Sequence, residues 1–163
     1  MKTIYLLTGC NLGKRVYQID KASRLCESSI GKVVRKSDIF ETEAWGKTDQ
    51  PLFLNQALEI QTSLFPLEVL HQIIIIEKKL GRLRTEKWGE RRMDIDILLF
   101  SNEVINTTDL QIPHPYLHLR RFALAPLVQL APGYIHPAFQ LTISQLLEQC
   151  PDTLEVWHYK KAK

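Results

Sequence analysis

The sequence predicts an α+β fold: a ferredoxin-like βαββαβ antiparallel sheet with helices packed on it, and additional C-terminal helices. Three observations predict it. Strand-like and helix-like periods follow one another in the order β-α-β-β-α-β as far as Phe100. Further helical stretches come after Pro115. No linker divides the chain and no internal repeat is visible, so residues 1–163 read as one domain.

Each element has its own signal. Ile4–Thr8 is a short apolar run that stops at Gly9, as a buried strand does. Gly9–Gly13 is a turn. Lys14–Ile30 carries Val16, Ile19, Ala22, Leu25 and Cys26 at helical spacing, and Gly31 ends it. Lys32–Glu43 and Leu52–Ser63 read as strands, joined by a loop from Trp45 to Pro51. Pro66–Leu80 is the clearest helix: Pro66 in its first turn, Glu68 near its positive end, Lys78 and Lys79 near its negative end, Gly81 beyond. Arg82–Arg92 is too charged for a strand and reads as a loop. In Asp94–Phe100, Ile95, Ile97 and Leu99 alternate with Asp94, Asp96, Leu98 and Phe100. Ser101–Glu103 suggests a hairpin turn. Ile112–Pro115 is extended, as its two prolines demand. Leu119–Leu130 is helical in period despite Pro126, Ile143–Gln149 is a short helix, and Leu154–Tyr159 reads as a last edge strand. The helices are expected on one face of the sheet.

Composition narrows the class. Of 163 residues, 45% are hydrophobic and 24% charged, which supports a globular core and excludes disorder of the whole chain. No apolar run approaches the length of a membrane span. The three cysteines, Cys10, Cys26 and Cys150, are odd in number and widely spaced, so neither a disulfide framework nor a CxxC site is present. The expected setting is the cytoplasm. The net charge of +3 is unevenly placed. Between Glu77 and Arg92, seven cations face three acids and leave +4, so the rest of the chain is at −1. One short segment holds the whole excess, which fits an anion site or a solvated face. A wide basic surface for nucleic acid is missing.

Chemistry concentrates at Asp94-Ile95-Asp96. Positions i and i+2 of a strand share a face, so two carboxylates repel each other unless a cation joins them. The pair fits either an acidic solvated edge or a Mg²⁺ site, since Mg²⁺ commonly bridges one or two carboxylates to substrate phosphates. Arginine forks nearby, Arg82, Arg84, Arg91 and Arg92, match phosphate bidentately. No GxxxxGK[ST] loop exists, which excludes a P-loop enzyme. His114, between two prolines, suits a phosphate contact, a proton donor or a turn cap, and Arg120 suits a further anion contact. Phe53 and Asn55 share a strand face near Thr42 and Trp45; an aromatic plate beside an amide suits a flat heterocycle with polar edges.

These stretches resemble the 6-hydroxymethyl-7,8-dihydropterin pyrophosphokinase family of folate biosynthesis. The resemblance rests on Gly9–Gly13, Thr42–Gly46, Asp49–Asn55, Glu77 with Gly81–Arg84, Trp88–Leu98, and Pro113–Pro115 through Arg120-Arg121-Phe122. It implies transfer of diphosphate from ATP to the hydroxymethyl group of the pterin, releasing AMP, by a monomer without nucleic-acid or membrane partners. It further implies that Asp94 and Asp96 bind two Mg²⁺ ions, and that Arg82 and Arg91 assist transfer. Glu77, Arg84, Trp88, Ile97, His114 and Arg120 would contact ATP; Thr42, Trp45, Phe53, Asn55 and Phe122 would hold the pterin. Cys10 and Glu43 stand where many relatives carry Ser and Pro. Two rivals share the residue pattern: another Mg²⁺-dependent nucleotidyl transferase, releasing pyrophosphate, and a ferredoxin-like RNA-binding module.

Overall fold

A computed structural model describes residues 1–44, 49–81 and 93–160. The first strand, β1 (Lys2–Cys10), is buried along most of its length and pairs antiparallel on both sides. Its partners are the ten-residue β4 (Phe53–Thr62) and β5 (Asp94–Phe100). The expected strand Lys32–Glu43 is split into β2 (Lys32–Lys36) and β3 (Phe40–Thr42), which pair with opposite ends of β4. Ser37 causes the split. Its Oγ accepts from Ala57 N–H at 2.9 Å while its own N–H donates to Ala57 O at 2.9 Å. A side chain thus replaces one rung of the ladder. The expected edge strand is present as β8 (Val156–His158), beside β3. The sheet order β5-β1-β4-β3-β8, with β2 also on β4, is the split-βαβ arrangement.

Helices α1 (Arg15–Ser29) and α2 (Pro66–Lys79) pack on one face through Ile19, Ala22, Cys26, Val69, Ile73 and Ile76. The expectation of a single covered face is corrected. Tyr5, Leu7, Ala57 and Leu99 make the opposite face apolar as well, and α3 (Arg121–Leu130) and α4 (Ile143–Glu148) cover it. Both faces being buried explains the nearly continuous apolar run of β1. Among the described residues, no helix is long and apolar enough to cross a membrane.

Two local irregularities shape one end of the sheet. Tyr5 pairs with Leu99 but Leu6 with Ile97, so Leu98 is the extra residue of a β-bulge. Leu98 keeps the face of Asp94 and Asp96, whereas Phe100 crosses to the α1–α2 core, contrary to simple alternation. The turn at Ser101–Glu103 forms, but it makes no hairpin with β5. The chain leaves the sheet, and β6 (Ile105–Asn106) pairs instead with β7 (Gln111–Ile112). The helix expected from Leu119 is a short 3₁₀ turn, Leu117–Leu119, and α3 begins after Arg120, whose backbone is extended.

Candidate active site

The site begins with one row across three strands. Gly9 of β1 pairs with Asn55 of β4 on one side and with Asp94 of β5 on the other. Neighbouring strands lie about 4.8 Å apart, so amide and acid stand about 10 Å apart with glycine between them. A Cβ at Gly9 would collide with Asn55 Oδ1, so the missing side chain is what lets the carboxamide lie there. Asn55 Nδ2 donates to Thr42 Oγ1 at 3.4 Å, and both residues are buried. Phe53 pairs with Thr42 and is half-buried on the same face.

The next row carries Asp96 opposite Leu7. His114 Nε2 and Arg120 Nη1 each lie 3.9 Å from an Asp96 carboxylate oxygen. His114 is held by its own segment: its N–H donates to Leu98 O at 3.0 Å, and its Nδ1 accepts from Tyr116 N–H at 3.1 Å. Burial, then the Arg120 charge, push His114 down to about 4, against an opposing pull from Asp94. The ring is therefore neutral at pH 7 and directs its Nε2–H toward Asp96. Arg120 is buried with its guanidinium 5.1 Å from the Tyr116 ring and 5.5 Å from the Phe122 ring. Two aromatic faces thus hold one cation in place. From the other face of the sheet, buried Glu77 accepts the Ile95 N–H at 2.9 Å and ties α2 to the strand between the two acids.

These groups line a cleft of about 700 Å³. It brings together nine of the residues expected from the sequence: Thr42, Phe53, Asn55, Glu77, Asp94, Asp96, His114, Arg120 and Phe122. Ile97 is not in the lining; it is buried beneath, in the α1–α2 core. Trp45, Arg82, Arg84, Trp88 and Arg91 lie outside the described residues. The cleft also takes in Gly9, Tyr116, Asp109 and the α2 residues Leu67, Leu70, His71 and Ile74. The helical spacing of the α2 residues reads equally as core, while the resemblance singles out Asp109 and Ile74 as positions where some members of that family carry a basic and a polar residue to hold ATP. Cys10, at the end of β1, is buried and its thiol pushed up to about 12, as a structural cysteine would be.

Hard carboxylate oxygens of two neighbouring acids suit Mg²⁺. Among the described residues no three His, Cys, Asp or Glu side chains are grouped to hold a metal by themselves. Ions held by Asp94 and Asp96 would therefore share their remaining positions with water and substrate oxygens.

Residues 5–132 match the model of the HPPK family, 7,8-dihydro-6-hydroxymethylpterin-pyrophosphokinase. The chain is 41% identical over 145 residues to the 2-amino-4-hydroxy-6-hydroxymethyldihydropteridine pyrophosphokinase of Aquifex aeolicus, covering 89% of this chain and 90% of that one. It is 37% identical over 153 residues to the Haemophilus influenzae protein of the same name, covering 93% and 95%. Among solved structures, HPPK-DHPS in complex with substrates superposes with a TM-score of 0.73 at 17% identity, over 91% of this chain and 43% of that one. Wild-type HPPK-DHPS of Plasmodium falciparum with STZ-DHP gives a TM-score of 0.75 at 19% identity, again over 91% and 43%. The structural likeness shows the fold, and this chain spans less than half of those longer chains. Taken with the match across residues 5–132, the full-length relatives leave one conclusion: this chain belongs to the 7,8-dihydro-6-hydroxymethylpterin-pyrophosphokinase family.

Proposed function

We propose that the cleft carries out the family's reaction with ATP as donor and Mg²⁺ as cofactor, the pterin lying over the Asn55 side and the triphosphate over the Asp94–Asp96 side. The reaction is pyrophosphoryl transfer to 6-hydroxymethyl-7,8-dihydropterin in folate biosynthesis. The observation that supports the residue assignment is the row Asp94–Gly9–Asn55, which puts one acid of the pair and the Asn55 amide in one cleft with only a glycine between.

The chain's residues then have separate tasks. Phe53 and Phe122 sandwich the pterin ring, and Thr42 and Asn55 bond its polar edge, with Trp45 as a further contact. Asp94 and Asp96 would hold two Mg²⁺ ions, which when bound would supply charge neutralisation for the phosphates and lower the pKa of the attacking hydroxyl. His114, whose Nε2 faces Asp96 across 3.9 Å, donates to a phosphate oxygen that enters beside that carboxylate, and Arg120 adds positive charge. Glu77, Arg84, Trp88 and Ile97 complete the nucleotide site, Ile97 as support from beneath. Arg82 and Arg91 stabilise charge as it develops. The pterin hydroxymethyl oxygen forms a bond to the β-phosphorus in line while its proton is released to solvent, the bond from that phosphorus to the α–β bridging oxygen breaks, and AMP leaves with that oxygen. Most of the acceleration comes from positioning and electrostatics. The same reading takes residues 1–163 as one domain of a monomeric cytoplasmic enzyme.

Phosphorus NMR of the protein with ATP, Mg²⁺ and the reduced pterin tests this. AMP with a pterin diphosphate is the expected product. Release of pyrophosphate would instead indicate nucleotidyl transfer, and no turnover would favour a binding module.

A further inference from the structure

The connection from β3 to β4 leaves Thr42 and returns at Phe53, two residues of the pterin subsite proposed above. Both of its ends are tied to one nitrogen. Arg15 Nη1 lies 2.8 Å from Glu41 Oε2 and donates to the Leu52 carbonyl at 2.9 Å. An ion pair to Glu41 and a hydrogen bond to Leu52 thus share that one nitrogen. Glu41 precedes Thr42 and Leu52 precedes Phe53, so one guanidinium sets the spacing of the two strand ends. Just before Leu52, Asn11 Nδ2 donates to the Pro51 carbonyl at 3.0 Å and to Gln50 Oε1 at 2.8 Å, from the turn that leads into α1.

The C-terminal strand completes the arrangement. Trp157 of β8 pairs with Glu41, and its Nε1–H donates to Glu41 Oε1 at 3.2 Å. Each oxygen of Glu41 therefore has a partner, an ion pair from α1 and a hydrogen bond from β8. The Tyr159 ring lies 5.7 Å from the Arg15 guanidinium. Side chains alternate along β3, so Glu41 points to the sheet face opposite Thr42 and does not itself meet a ligand beside Thr42. The Arg15 and Glu41 side chains are only 25% and 17% exposed, so their ion pair is partly shielded from water. Trp157 lies beyond the residues 5–132 that match the family.

We propose that Arg15, Glu41 and Trp157 form a positioning clamp behind the sheet, which fixes Thr42 and Phe53 against Asn55 and so sets affinity for the pterin. This rests on the pterin-subsite reading given above. None of the three touches the reacting atoms; each acts through the strand ends it holds.

Calorimetric titration of the full chain with 6-hydroxymethyl-7,8-dihydropterin, in the presence of Mg²⁺ and a non-hydrolysable ATP analogue, tests the clamp alongside steady-state kinetics. Arg15→Ala is expected to raise the pterin Kd and KM about tenfold while kcat and the ATP KM stay within about twofold. Arg15→Lys is expected to recover much of the loss. Trp157→Phe keeps ring and strand and removes only the donor, so it stays informative if Arg15→Ala fails to fold; its expected effect is about threefold. Combining Arg15→Ala with Glu41→Gln adds little, because the pair acts as a unit. Unchanged pterin affinity in Arg15→Ala and Trp157→Phe would overturn the clamp, as would pterin and ATP KM rising together with a falling Tm. A wild-type chain that binds no pterin would overturn the subsite reading itself, whereas wild-type binding with indifferent variants defeats the clamp alone.

Discussion

The Asn55 carboxamide occupies the space that any side chain on Gly9 would need, although the two residues belong to adjacent strands and lie 46 positions apart in the sequence. Gly9→Ala therefore moves the amide rather than the strand. The expected result is a pterin affinity reduced about tenfold or more, with ATP-analogue binding nearly unchanged. Titrating each ligand separately checks this, and equal losses for both would show that the sheet itself had shifted.

Asp96 stands between a neutral histidine and a buried arginine, each 3.9 Å away. Asp96→Ala is expected to lower kcat by about 10²-fold or more while leaving the fold intact. The comparison is turnover with Mg²⁺ present against far-ultraviolet circular dichroism of the same sample. Retained activity at saturating Mg²⁺ would remove the carboxylate from the metal role.

Glu77 offers a test of the joint between α2 and β5. Its carboxylate is the acceptor for the buried Ile95 N–H. Glu77→Ala strips that acceptor and is expected to cost about 1–3 kcal/mol. Glu77→Gln keeps a carbonyl oxygen in reach and is expected to cost less. Urea denaturation of the two variants decides, and identical midpoints would mean that the bond contributes nothing measurable.

Acid should loosen the segment after α3 through His136. Its Nδ1 accepts from Ala138 N–H and Phe139 N–H, both at 3.2 Å, and its ring stacks on Phe139 at 4.6 Å. Burial, with His118 adding to it, pushes His136 down to about 4. The unfolded chain takes up that proton near the ordinary value of about 6.5, well before the folded chain does. The stabilisation is thus fully present above about pH 6.5 and drains away as the pH falls toward 4. Between pH 7.5 and 5 the loss from this residue is about 1–2 kcal/mol. Denaturation midpoints across that interval should fall less in His136→Asn than in the wild type. His114 contributes with the same sign, so some dependence persists in the variant.

Much of this arrangement was written in short-range pattern. The period-2 alternation of β4 and the proline-to-glycine frame of α2 belong to single elements, and the structure keeps both within a residue or two. Asp94 and Asp96 were legible because their spacing alone decides that they share a face. What stayed hidden required knowledge of a neighbour. The break at Ser37 depends on the backbone of Ala57, twenty residues away. The reversal of Phe100 depends on a bulge that exists only when β5 meets β1. Asp109 enters the cleft because β6 and β7 pair with each other and not with β5. Arg120 was legible as a basic residue, but its place between Tyr116 and Phe122 follows from the extended backbone that separates the 3₁₀ turn from α3.

Strand β8 has one further consequence. It is the outermost member of the main sheet, and its pairing with Phe40, Glu41 and Thr42 uses the ladder groups that β3 would otherwise present to solvent. Removing the chain after Cys150 would bare that rim, and an unsheltered rim recruits whatever extended segment it meets, including another copy of itself. A shortened form is therefore expected to self-associate at concentrations where the longer chain stays dispersed.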